Sequence, residues 1–166
     1  MRSKEQGFSL IELLIVVAII LIIAAIAIPN LLRARMAADE ASAVGSLRTI
    51  NTASITYLST YGAGFPANLT ALGGPPGAAA TCTAGAQLID NVLSTGMKTG
   101  YNFTFTPSGT AQTVGGCTGY PSYSITAVPV VAGQTGQRSF YTDQSGVIRF
   151  DTAGSSSVSA ASPPLQ

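Results

Sequence analysis

The chain has no histidine and no tryptophan, only two cysteines, and few charges. Without histidine, neither a Ser-His nor a Cys-His nucleophile pair can be built. The same absence removes the histidine-containing zinc sets, and two cysteines alone do not complete a tetrahedral site. Charged residues make up 9% of the 166 positions, against about 25% in ordinary soluble domains. The eight basic and seven acidic side chains nearly cancel, so no basic patch argues for nucleic acid. Asp90, Asp143 and Asp151 are too scattered in sequence to declare a metal set, and Asp143 in Asp143-Gln144-Ser145-Gly146 reads as a turn former. No cofactor is implied, no catalytic constellation is visible, and no internal repeat is found.

What the chain has instead is one long hydrophobic run. Every residue from Leu13 to Ile28 is apolar, and the stretch from Phe8 to Ile28 has about the 20 residues that a helix needs to cross a bilayer. Near its start stands a single carboxylate, Glu12. A charge inside such a segment is expensive, which makes it a functional candidate by default. A short polar leader, Met1 to Gly7, precedes the run and carries Arg2, Lys4 and Glu5. A secretory signal peptide places its apolar region before the cut, ending in small residues. Here the expected cut lies before the apolar region, so that region stays on the mature chain.

The series Gly7-Phe8-Ser9-Leu10-Ile11-Glu12, continued by Leu13, Leu14, Ile15, Val16, Val17, Ala18, Ile19 and Ile20 and closed by Ala24 to Pro29, resembles the prepilin signal of type IV pilins and type II secretion pseudopilins. The resemblance is close from Gly7 to about Met36 and only general in layout beyond. It implies cleavage after Gly7 by a membrane prepilin peptidase and N-methylation of the new amine of Phe8. Glycine suits the cleavage position because a residue without Cβ lets another backbone approach closely. Glu12 follows Phe8 by four residues, one helical turn on the same side. It would neutralise the Phe8 amine of its own chain or of a neighbour, since an uncompensated buried charge costs several kcal/mol. Leu13, Ile15, Val16, Ile19 and Ile20 would join the rest of the run in a fibre core. Pro29 removes one backbone hydrogen bond and favours a kink.

Cleavage after Gly7 would leave six basic and six acidic side chains. In a chain carried past the membrane, two cysteines most simply pair; two buried free thiols are the alternative. A Cys82–Cys117 bond would close a loop of about 36 residues, for which the chain-entropy model gives about 4 kcal/mol. Many pilins instead bracket a region near the C-terminus with their disulfide.

The expected fold class is α+β, a long N-terminal helix packed on a small antiparallel sheet. Residues 1–7 read as leader, 8–29 as membrane or fibre-core helix, and 30–62 as its amphipathic continuation. The apolar stripe there runs through Val44, Leu47, Ile50, Ser54, Tyr57 or Leu58, and Tyr61, with Arg33, Arg35, Asp39, Glu40 and Arg48 on the polar side. Gly62, Gly64 and Pro66 end the helix. Residues 63–99 read as a variable loop region, with a short helix over Ala86 to Leu93. Residues 100–152 read as antiparallel strands: Tyr101 to Phe105, Tyr123 to Val131, Ser139 to Thr142 and Val147 to Phe150. Residues 153–166 read as a flexible tail.

The resemblance implies a structural subunit, not an enzyme. It would be a single-pass inner-membrane precursor that becomes an extracellular type IV pilus. The expected partners are other copies of the chain, the peptidase and the assembly machinery. A periplasmic type II secretion pseudopilus is the alternative, a minor pilin a further one, and an anchored binding protein with an uncleaved leader the last.

Overall fold

A computed structural model describes residues 8–75 and 77–165. It contains two compact units, one ending at Arg35 and the other beginning at Met36. Helix α1 is assigned from Leu10 to Tyr61 and contains Pro29. It stops where expected: Gly62 takes a positive φ of 66°, and its N–H bonds the Leu58 carbonyl at 3.0 Å, the usual way glycine closes a helix.

The second unit is built on a five-stranded antiparallel sheet. Its strands are β1 (Met97–Lys98), β2 (Tyr101–Ser108), β5 (Ser122–Pro129), β6 (Ser139–Asp143) and β7 (Arg149–Asp151), in the order β1-β2-β5-β6-β7. A separate ribbon pairs β3 (Gln112–Val114) with β4 (Cys117–Gly119). Period-two alternation puts Tyr101 and Phe103 of β2, and Tyr123, Ile125 and Ala127 of β5, on the buried face. They form one core with Ala43, Leu47, Ile50, Ala53 and Tyr57 of the helix and with Phe140 of β6. Each fully buried large side chain contributes about 1.5–3 kcal/mol. This is the α+β arrangement that the change of period implies.

Several details depart from the sequence reading. The short helix expected over Ala86 to Leu93 is only one turn, α3 (Asn91–Ser94). Asp90 starts it by accepting from the Leu93 N–H at 2.8 Å. Residues 86–88 are not helical: Gln87 takes a positive φ of 53°, and the three N–H groups bond the carbonyls of Ala71, Gly73 and Leu72 in and beside helix α2 (Leu69–Leu72). Glu40, read as part of the polar side, is buried. Its Oε1 accepts from the N–H groups of Gln137 and Arg138 at 2.8 and 3.1 Å, and its Oε2 from Arg138 Nε and Nη2, both at 2.8 Å. Burial alone pushes this carboxyl's pKa up. The bonds from Gln137 and Arg138 and the guanidinium charge outweigh it and hold the group below its ordinary range.

A second polar link crosses the core. Asn51 Nδ2 donates to Thr142 Oγ1 at 2.9 Å, and the Tyr123 hydroxyl donates to Asn51 Oδ1 at 3.1 Å. All three residues are buried, so the bonds satisfy groups that water cannot reach.

Cys82 and Cys117 form a disulfide with Cα atoms 5.6 Å apart. It fastens the 81–85 turn, closed by reciprocal Thr81 and Gly85 backbone bonds of 3.0 Å, to strand β4. Replacing both cysteines by serine is expected to cost about 4 kcal/mol by the loop-entropy argument. Urea unfolding of the detergent-solubilised chain measures it; a loss below about 1 kcal/mol would mean that the 81–85 turn holds without its staple.

Candidate functional site

Leu10 is the first helical residue, preceded by Ser9, and Glu12 is the third residue of the first turn. The Glu12 carboxylate reaches back and accepts from the Ser9 N–H at 2.9 Å. The Glu12 and Leu13 N–H groups bond the Ser9 carbonyl at 3.1 and 3.3 Å. In a Ser-x-x-Glu sequence, the bond from the glutamate to the N–H three residues before it is one of the two bonds of a capping box. Four opening N–H groups have no partner within a helix, and a carboxylate there also meets the positive end of the helix dipole. The Ser9-x-x-Glu12 spacing is the signal in the sequence for this bond.

Phe8 lies outside the helix and is 81% exposed. The single-turn spacing expected between Phe8 and Glu12 therefore does not hold in this state. The helix starts two residues later, and Glu12 bonds Ser9. Gly7, the expected cleavage position, lies outside the described residues.

Beyond Glu12 the helix is apolar on every side. Leu13, Ile15, Val16, Ile19 and Ile20 are each about half exposed or more, and they point in different directions around the axis. No part of the most apolar eighteen-residue window is buried. An all-round apolar helix needs lipid or other helices around it. Pro29 sits inside the helix, where its missing N–H leaves the Ala25 carbonyl without the usual partner.

Three aspartates, Asp90, Asp143 and Asp151, hold local structure. Asp90 caps α3 and pairs with Lys98 at 2.7 Å. Asp143 accepts from the Ser145 N–H at 2.9 Å, and Asp151 from the Ala153 N–H at 3.1 Å. Among the described residues no three acidic or cysteine side chains gather as a metal site would require.

The family model described as the prokaryotic N-terminal methylation motif matches residues 2–28. The chain is 45% identical over 58 residues to the type IV major pilin protein PilA of Myxococcus xanthus, a stretch that covers 35% of this chain and 26% of that protein. It is 66% identical over 37 residues to the type IV wide pilus major component PilA4 of Thermus thermophilus, covering 22% of this chain and 28% of that one. The matched stretches thus span about a quarter of the length of either relative. No solved structure matches the chain.

Proposed function

With a type IV pilin-like N-terminal segment as the premise, we propose that this chain is a structural subunit of a type IV pilus. It is made as a membrane-anchored precursor, cut after Gly7 and methylated at Phe8. It then polymerises through its N-terminal helix. The observation that carries this reading is the helix itself. The residues that match the methylation motif, 2–28, include an apolar run exposed on all sides of the helix. In the precursor, lipid covers that run. In the fibre, the same surface is covered by the helices of other copies, so exchange between the two environments costs little apolar exposure. The two curated relatives, both named as pilus components, support a pilus over a secretion pseudopilus.

The test is the intact mass of protein sheared from the cell surface. The expected species begins at N-methyl-Phe8 and is two hydrogens lighter than the thiol form, for the Cys82–Cys117 bond. The same processed chain found only in the envelope would replace this reading by the pseudopilin or minor-pilin one. A chain that keeps Met1 would favour an uncleaved anchored protein.

A further inference from the structure

The sheet has two edges, and they end differently. Strand β1 is two residues long and carries Lys98, a short and charged edge that resists further pairing. Strand β7 would be open, but the segment from Ser162 to Leu165 lies along it. The Phe150 N–H donates to the Pro163 carbonyl at 3.0 Å, and the Leu165 N–H to the Ile148 carbonyl at 2.8 Å. Arg149 and Pro164 stand opposite each other as an antiparallel bridge, and Arg149 Nη1 donates to the Ser162 carbonyl at 2.9 Å. Leu165 packs against the core and, with Ala37, Ala41, Val44 and Arg138, lines one groove beside the helix.

Backbone groups alternate in direction along an extended strand. Pro163 and Leu165 turn their bonding groups towards β7, so Pro164 turns its nitrogen outward. That nitrogen carries no hydrogen. The segment therefore pairs with the sheet on one side and lacks a donor on the other. From this we infer that Ser162–Leu165 is an edge-sealing strand, which stops β7 from adding a strand of a second copy. The seal rests on hydrogen bonds of the sheet itself, far in sequence from the N-terminal motif. Such protection matters for a subunit that is packed side by side at high local concentration, because an unpaired edge is a template for disordered association.

Two variants of the full chain in detergent micelles test it: one ended at Ala161, and Pro164→Thr. Ending the chain at Ala161 exposes the Phe150 N–H, whose hydrogen-exchange protection should fall by roughly tenfold or more. It should also sediment as larger species than the parent and bind thioflavin T. Pro164→Thr keeps the seal but restores an outward donor. It should retain Phe150 protection while gaining association and thioflavin binding. If the shortened chain unfolds, Pro164→Thr decides alone. Parental sedimentation and no thioflavin signal from Pro164→Thr and from a folded shortened chain would overturn the inference. So would unchanged Phe150 protection in the shortened chain.

Discussion

Glu12→Ala is expected to insert and be processed like the parent chain, and to yield few or no filaments. Insertion should survive because the change removes a charge from an apolar run. Assembly should fail because a Phe8 amine carried into the fibre core would have no opposite charge. Leaving one member of a buried pair alone costs about 3–5 kcal/mol, which is about two to three and a half orders of magnitude in subunit affinity. The bond from Ser9 to Glu12 complicates the alanine result, since alanine also removes the helix cap. Glu12→Gln separates the two roles. Glutamine keeps an oxygen for the Ser9 N–H, as capping boxes allow, but carries no charge. If charge pairing drives assembly, glutamine should fail as alanine does. Filament yield at parental level from Glu12→Gln, counted by electron microscopy of sheared fractions, would reduce Glu12 to a helix cap.

Glu40→Ala carries the second large effect, on stability. It leaves the Arg138 guanidinium and the N–H groups of Gln137 and Arg138 without their acceptor. The Arg138 side chain is 39% exposed, so its freed charge reaches water, and the expected loss is about 1–3 kcal/mol for the N–H groups left without an acceptor, read as a fall in the urea midpoint. Glu40→Gln should lose less, because an amide oxygen still serves the backbone donors. The same site gives stability a pH dependence. The folded carboxyl sits below its ordinary value of 4.5, so the unfolded chain takes up the proton first. Its contribution is then complete above that value and is lost as pH falls through the lower, folded one. Urea midpoints from neutral pH downward should show an acid loss in the parent that is smaller in Glu40→Gln. Parallel curves for the two would remove Glu40 as its source.

The helix–sheet architecture was readable because hydrophobic period changes near Gly100, from three-to-four to two. Burial follows each period: Leu47, Ile50 and Tyr57 on the helix, Tyr101 and Phe103 on the first long strand. Glu40 escaped because its charge outweighed its place. It precedes Ala43 and Leu47 by three and seven residues, on the core stripe, and its partner Arg138 lies far along the chain where no local pattern points to it. The ribbon of β3 and β4 escaped for another reason. Thr113 and Thr118 face each other across a Gly115-Gly116 turn, in a stretch too polar and too short to show alternation. The seal of β7 was hidden by composition: a segment rich in serine and proline reads as loose until the edge it lies against is known. At the N-terminus the residues were legible and their geometry was not. The motif named Phe8 and Glu12, while the capping bond to Ser9 depends on where the helix begins.

The Asn51 link has a mechanical consequence. Apolar side chains can slide past one another and find new neighbours at little cost, whereas two directional bonds cannot be stretched and re-formed a turn away. Moving residues 43–57 along the sheet by one helical turn, about 5.4 Å, would strip Asn51 from both Thr142 and Tyr123 and leave three polar groups dry. Under a pull along the helix axis, the interface should hold its position up to a threshold load and then give way at once, without creeping.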